Sequence, residues 1–357
     1  CRDAYWLEQR PLFTADPCLH VGRYYVQEAG SMFLDKVIRE HVKTPVAMLD
    51  LCAAPGGKST LARAALPASS VLYTNEPDRR RANILLENIQ KQGHPDVVVT
   101  NNYPQHYSRT KLRFDVILAD VPCSGEGMFR RDPKAMSEWS VANVQRCSAL
   151  QREIVAEIWD NLRPGGILIY STCTFNLHEN EENVMYICEK LGADVLQVPL
   201  EESYGITGSL HPQCNMPVYR FIPGITCSEG LFMAVLRKHG DSAPALISRE
   251  KLLSLSRTLN IMYDGIPCGE QRGKTVIPAH AEALSISLDR KKYAEYDVTL
   301  QDAIKYLRRE VLSLPSDIPC GYVLVTYQGL PLGFVKNIGS RANNLYPKEW
   351  AIRMNVE

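Results

Sequence analysis

Leu49-Asp50-Leu51-Cys52-Ala53-Ala54-Pro55-Gly56-Gly57-Lys58 runs an apolar strand straight into a glycine-rich turn. Glycine carries no side chain, so the backbone N–H groups of such a turn can come close to a ligand. In sheets of parallel strands, ligands sit at the carboxyl ends of the strands, and this turn leaves one. It has neither the G-x-G-x-x-G pattern of dinucleotide sites nor the G-x-x-x-x-G-K-[ST] spacing of a phosphate-binding loop. Alone, the Gly56-Gly57 pair is a weak signal. Glu76 strengthens it: a carboxylate at the end of the next strand can accept both hydroxyls of an adenosine ribose. The competing reading of Glu76 is a helix-start acid ahead of Pro77 and Asp78.

Outward from this turn, strand and helix alternate. Val46 to Leu51, Val71 to Asn75, Val97 to Thr100, Phe114 to Ala119, Ile167 to Tyr170 and Leu231 to Leu236 read as strands. The Phe114 to Ala119 run is apolar almost throughout, as a strand buried on both faces should be. Helices are expected from about Lys58 to Leu66, through Arg81, Ile84, Leu85, Asn88 and Ile89, from about Leu150 to Leu162 with a stop at Pro164-Gly165-Gly166, and from near His178. The rhythm predicts an α/β fold with a doubly wound, mostly parallel sheet. His239 to Pro244 reads as a linker. Beyond it, a helix through Leu300, Ala303, Ile304 and Leu307 precedes strands at Tyr322–Tyr327 and Leu332–Lys336, with Gly329-Leu330-Pro331 turning between them. That pattern predicts a smaller C-terminal α+β module. The expected domains are residues 1–238, a linker over 239–248 and a second domain over 249–357.

Composition sets outer limits. A chain of 357 residues can hold two domains, and 45% hydrophobic with 22% charged residues is ordinary for a globular protein. No apolar run is long enough to span a bilayer and no signal peptide is visible, so no membrane partner is expected. The chain starts at Cys1 and reads like the middle of a fold, so an N-terminal part is expected to be missing. None of the 11 cysteines falls in a C-x-x-C pair, which argues against zinc and leaves no metal expected. Reduced thiols fit a cytoplasmic protein, and Cys188 and Cys227 read as ordinary apolar cysteines. The 40 basic and 40 acidic residues cancel, a weak argument against a nucleic-acid enzyme. Local clusters matter more. Arg79, Arg80 and Arg81 are consecutive, and Arg130, Arg131 and Lys134 follow directly on Cys123, where phosphate contact is the better reading.

Two cysteines sit just beyond strands whose carboxyl ends should face one crevice: Cys123 in Asp120-Val121-Pro122-Cys123-Ser124-Gly125, and Cys173 in Ser171-Thr172-Cys173-Thr174. Few chemistries need two thiols and an acid beside a nucleotide-cofactor site, and methylation of a pyrimidine carbon is one. Carbon 5 of cytosine is a poor nucleophile. Adding a thiolate to carbon 6 makes carbon 5 enamine-like, able to take a methyl group from a sulfonium donor. A carboxyl group such as Asp120 can polarise the ring at N3. A base must then remove the C5 proton so that the enzyme can leave, and a second thiol could assist that step.

Together these segments resemble the Sun-type RNA cytosine-C5 methyltransferases. The resemblance rests on Leu51 to Lys58, Asp120 to Gly127, Tyr170 to Thr174, Tyr24 to Phe33 and Glu179-Asn180-Glu181, and covers roughly residues 1–238. The C-terminal part is similar, more weakly, to the RNA-binding region of the bacterial 16S rRNA members, notably at Gly329 to Gly333 and Lys336 to Asn344. The resemblance implies a Rossmann-like class I methyltransferase fold followed by an RNA-binding domain. It implies Cys173 as nucleophile and Cys123 as the thiol that helps release the product. It implies S-adenosylmethionine held by Cys52, Ala53, Ala54, Pro55, Gly56, Gly57, Lys58, Glu76 and Asp120. The family often has an aspartate near the adenine at the end of the third strand. Here Thr100-Asn101-Asn102-Tyr103 puts Tyr103 at that position, with Asn102 as the alternative.

The expected product is 5-methylcytosine in RNA, with rRNA or the small ribosomal subunit as partner and a monomer as the working form. The target base must be unstacked to reach a buried thiol. The alternatives are a tRNA substrate, exchanged roles with Cys123 as nucleophile, and a non-catalytic RNA-binding assembly factor. Asp-Val-Pro-Cys in place of Asn/Asp-Pro-Pro-aromatic disfavours an adenine N6 enzyme.

Overall fold

The computed structural model describes residues 1–245, 250, 253–254, 257–267, 269–273 and 275–353. Residues 246–248 of the expected linker lie outside the described residues. The chain forms two compact units: one of Cys1–Ala4, Gln27–Leu85 and Asp96–Met262, the other of Tyr5–Val26, Leu86–Pro95 and Tyr263–Glu357. Among the described residues no helix is long and apolar enough to cross a membrane.

The first unit is built on a nine-stranded sheet. Its strands are β1 (Ala47–Asp50), β2 (Val71–Asn75), β3 (Val97–Thr100), β4 (Phe114–Asp120), β5 (Leu162–Thr172), β6 (Ala193–Val195), β7 (Tyr219–Phe221), β8 (Leu231–Lys238) and β9 (Ile261–Tyr263). Their order is β6-β8-β5-β4-β1-β2-β3-β9, with β7 also on β8. β1 to β5 pair in parallel, and β6 and β7 join antiparallel β8, which closes antiparallel on β5. The apolar runs are the reason: Leu49, Leu51, Ile117, Ala119, Leu168 and Phe232 all lie in one core beneath helices, and strands covered on both faces read as continuous apolar sequence. The chain starts at β1 in mid-sheet, works outward to β3 and then returns to β4 on the other side of β1. That reversal is the topological switch point, where the carboxyl ends of the strands part to leave a crevice.

Three boundaries differ from the sequence expectation. The helix expected from Leu150 to Leu162 spans Val141–Ile158, because Ser140 caps it: its Oγ accepts the N–H of Asn143 at 3.1 Å. Pro164-Gly165-Gly166 stops no helix. It lies inside β5, where the pairing with β4 slips between Phe114 and Val116 and Gly165 takes a φ of +75°, a bulge that glycine permits. The short strands β6, β7 and β9 have only three residues each, too few to show a pattern.

In the second unit a hairpin β10 (Glu270–Arg272)–β11 (Thr275–Ile277) accompanies a four-stranded sheet of β12 (Ala294–Asp297), β13 (Gly321–Tyr327), β14 (Leu330–Asn337) and β15 (Ala342–Asn344). The helix Leu300–Leu307 starts at Thr299, whose Oγ1 accepts the N–H of Asp302, and buries Ala303, Tyr306 and Leu307 against Val323, Val325 and Val335. The β13–β14 turn is Gln328-Gly329, both with positive φ, as a two-residue hairpin requires. Pro331, expected in the turn, belongs to β14 at a register shift, where its missing N–H is tolerated.

His280 in this unit stands edge-on to Tyr346 and Trp350, and neither ring nitrogen has a hydrogen-bond partner. Burial, with Lys91 nearby, pushes its pKa down to about 3. A histidine depressed below its unfolded value of about 6.5 contributes stability at neutral pH that is lost as pH falls from about 6.5 toward 3. Between pH 7 and pH 5, denaturant titration should therefore show the wild-type chain losing about 2 kcal/mol more than His280→Phe. Equal losses would mean that the ring is already solvated in the folded state.

Candidate active site

Four strand ends meet at the switch point. Asp50 ends β1, Asn75 ends β2 with Glu76 directly after it, Asp120 ends β4, and Cys173 follows β5. In register, Asp50 faces Thr74 on one side and Leu118 on the other, and Asp120 faces Ser171. The turn after β1 then bends sharply. Gly56 sits at φ +115°, a conformation a β-carbon would strain, and leads into the helix Gly57–Ala65. Gln27 donates from Nε2 to the Gly57 carbonyl at 2.8 Å, which ties the Gln27 to Phe33 motif to the turn.

The acids around the turn differ in their partners. Asp50 is fully buried. Its Oδ2 accepts Ser59 Oγ at 2.6 Å while its Oδ1 accepts nothing, and burial pushes its carboxyl up to about 7. Glu76 is buried too, and burial raises it. Its Oε1 accepts the N–H of Asp78 at 3.1 Å, while Oε2 accepts no hydrogen bond. Arg81, expected on a solvated or phosphate-facing run, stays exposed but is engaged at the turn: it donates to the Ala54 carbonyl at 2.8 Å and lies 3.3 Å from Glu76 Oε2. Asn75 was not legible as a site residue. It donates from Nδ2 to the carbonyls of Leu51 and Asn102, and its Oδ1 accepts Asn102 N–H and Thr100 Oγ1, so one side chain joins the ends of β1, β2 and β3.

At the end of the third strand Asn102 pairs with Asn260: its Nδ2 donates to the Asn260 carbonyl at 3.2 Å and its Oδ1 accepts the Asn260 N–H at 3.0 Å. Tyr103 next to it is 58% exposed and caps the helix Pro104–Ser108.

The thiols lie together. Cys123 Sγ and Cys173 Sγ are 3.0 Å apart, hydrogen-bonded and unoxidised. Cys173 is held below the ordinary thiol value, first by the hydrogen bond from Cys123. Burial and the Asp120 carboxylate oppose this, and Lys58 supports it. Cys123 goes the other way, pushed well up by donating to Cys173 and by burial. Lys58 Nζ is 2.8 Å from Asp120 Oδ2. Burial alone would lower its ammonium, but Asp120 outweighs this and Cys173 adds to it, so Lys58 stays charged between a carboxylate and a sulfur. The sequence marks Lys58 as part of a cofactor turn. Its packing puts it on the acid and in reach of the thiol.

The two thiol loops are sewn to one another. Gly127 N–H donates to the Cys173 carbonyl at 2.8 Å, and a β-carbon there would lie 2.9 Å from the Gly230 oxygen and 3.0 Å from that of Cys173. Glu126 accepts the N–H groups of Phe175 and Asn176 at 2.6 and 3.0 Å. Asn180 donates to the Thr174 carbonyl, and a buried Glu181–Arg220 ion pair brings Arg220 Nη1 onto the Phe175 carbonyl at 2.7 Å. The basic cluster after Cys123 is partly engaged within the chain: Arg130 and Arg131 lie 2.9 and 3.4 Å from Glu229.

A family model described as 16S rRNA methyltransferase RsmB/F matches residues 39–237, and one described as the methyltransferase RsmF PUA domain matches residues 293–352. Proteins of Enterobacter sp. (strain 638) and Citrobacter koseri, both named ribosomal RNA small subunit methyltransferase F, are 30% and 31% identical. Each match covers 98% of this chain, and 82% or 83% of the relative. Among solved structures, NSun6 from Pyrococcus horikoshii, determined with SFG, is similar at 28% identity and a TM-score of 0.56. That match covers 65% of this chain and 57% of that one, so this chain spans little more than half of its length. A methyltransferase homologue from the same organism is similar at 27% identity and a TM-score of 0.55, over 64% of this chain and 73% of the other.

Proposed function

From the premise that the chain belongs to the 16S rRNA methyltransferase RsmB/F family, we propose that it moves a methyl group from S-adenosylmethionine to C5 of a cytosine in 16S rRNA, through a covalent bond between Cys173 and C6. The observation that carries this reading is the thiol pair itself, two sulfurs hydrogen-bonded across 3.0 Å, with Lys58 charged on the Cys173 side. A pocket that needed only to bind nucleotide would have no use for it.

The cofactor fits the residues present. Asp50 Oδ1 is a buried acceptor with no hydrogen bond, Glu76 Oε2 has none beyond its ion pair with Arg81, and buried polar groups in folded proteins are satisfied. Ribose hydroxyls on Glu76, and the amino group near Asp50 and the Cys52 to Lys58 turn, would complete them. Asp120 stands between cofactor and base, and Tyr103 is exposed at the adenine end. SFG, an analogue of S-adenosylmethionine, in the Pyrococcus horikoshii relative agrees with this choice. When bound, the cofactor supplies an electrophilic methyl group on a sulfonium.

The residues divide the rest. Cys173 is the sulfur whose surroundings favour the thiolate, so it is the one that attacks C6, and its electron pair raises the density at C5. Asp120, fixed by Lys58, takes up a proton as the base binds, donates its O–H to N3, and gives the proton back when Cys173 leaves. With the Cys173 sulfur consumed, Cys123 no longer has its acceptor and loses its proton to water. Cys123 then takes the C5 proton. The C5–H electron pair re-forms the C5–C6 double bond and expels Cys173 as thiolate, which restores the starting pair and accounts for the one proton released per methyl group transferred. The second unit, matched by the PUA model, holds the RNA.

Methyl transfer from labelled S-adenosylmethionine to RNA lacking 5-methylcytosine, offered as naked RNA and as small subunits, tests the reading, with the product identified by bisulfite sequencing. The expected result is 5-methylcytosine in 16S rRNA. Label in tRNA would move the substrate, label on another atom would remove the C5 assignment, and no label on either form would leave an RNA-binding assembly factor.

A further inference from the structure

The proposed reaction asks opposite things of two adjacent thiols, and the fold grips the backbone beside each through different residues, although the two loops meet where Ser124 Oγ and Thr174 Oγ1 lie 3.0 Å apart. Cys173 is held from Gly127, which donates to its carbonyl, and from Asn180 on the neighbouring Thr174. Cys123 is held elsewhere. Glu179 is fully buried, and its Oε2 accepts the Ser124 N–H at 3.0 Å and Gln151 Nε2 at 2.6 Å. Gln151, also fully buried, donates in addition to the Pro122 carbonyl at 2.9 Å. The peptide units on both sides of Cys123 are therefore gripped by one Glu179–Gln151 pair. Behind it, Asn176 donates to Glu179 Oε1 at 2.7 Å, and Tyr170 and Asn183 donate to Gln151 Oε1 at 3.0 and 2.8 Å. The donors on this carboxylate are a backbone N–H and two side-chain amides, none of them charged. A buried anion answered only by neutral donors is costly to keep, and a glutamine would be its cheaper isostere if packing were all it served.

We infer that Glu179 is a positioning residue for Cys123 that serves the release half of the cycle and leaves the attack half alone. The inference rests on the covalent reading above. The step it serves is transfer of the C5 proton to the Cys123 sulfur with expulsion of Cys173. A glutamine at 179 would turn an NH₂ toward Gln151 or Asn176, donor against donor, and free the Pro122-Cys123-Ser124 segment to shift.

The test compares single-turnover methyl transfer with steady-state turnover on the same RNA. For Glu179→Gln, kcat is expected to fall about tenfold and the covalent protein–RNA adduct to accumulate, while the single-turnover rate stays within about twofold of wild type. In the Cys123→Ala background, Glu179→Gln should change neither quantity, because its effect runs through a sulfur already gone. A fall of single-turnover and steady-state rates together, or additive effects in the double variant, would overturn the assignment and reduce Glu179 to general packing. If Glu179→Gln does not fold, Gln151→Met removes the Pro122 side of the grip together with one donor to Glu179, leaves Glu179 on the Ser124 N–H, and carries the same readouts. Absence of 5-methylcytosine from the wild-type protein would instead remove the proposed reaction, so the two failures are distinguishable.

Discussion

With Cys173 replaced by alanine, methyl transfer is expected to fall at least about 10⁴-fold, and no covalent protein–RNA species should form. The size follows from the chemistry. Without a sulfur on C6, C5 stays an aromatic carbon and no arrangement of acids makes it a competent nucleophile. Cys123 does not replace it, because the forces around the two thiols differ. The Cys173 sulfur is lowered by its hydrogen bond and by Lys58, whereas the Cys123 sulfur is pushed well up by donating to Cys173 and by burial. Denaturing gels of protein incubated with RNA and cofactor, together with the labelled-methyl assay, check both halves. Turnover retained by Cys173→Ala, with an adduct formed through Cys123, would exchange the two roles.

Cys123→Ala is expected to do the reverse: one methyl transfer, then arrest as an adduct that survives denaturation. Its steady-state rate should drop by about 10² to 10⁴, the usual weight of a missing general base. A second consequence follows from the lost hydrogen bond. The Cys123 thiol is the first cause holding Cys173 low, and burial opposes it. Removing the donor lets burial raise Cys173, so the single-turnover rate should rise with pH over a higher range than in wild type. An adduct-free variant with repeated turnover would take release away from Cys123. An unchanged pH profile would mean that Lys58 alone keeps the thiolate.

The sheet was legible because strands covered on both faces must be largely apolar, and Phe114 to Ala119, apart from Asp115, and Leu231 to Leu236 are. The thiols were legible because Pro-Cys and Thr-Cys follow such strands directly. What escaped was set by contacts distant in sequence. Nothing near Gln151 marks it as the donor to Pro122, 29 residues away, and nothing near Arg130 announces Glu229, 99 residues away. Lys58 was legible as part of a turn, but its placement on Asp120 depends on how β1 and β4 pair. The hairpin in the second unit misled by composition, since Gly329-Leu330-Pro331 holds two turn-forming residues while the backbone turns at Gln328-Gly329.

Asn75 joins three strand ends through four hydrogen bonds, all formed with the chain's own backbone and with Thr100. The edge proposed to receive the cofactor is thereby ordered during folding, and little conformational entropy is left to be lost on ligand capture. Cofactor binding to this protein should have the thermodynamics of docking into a rigid seat, and loosening Asn75 would surface as weakened affinity with the chemical step intact.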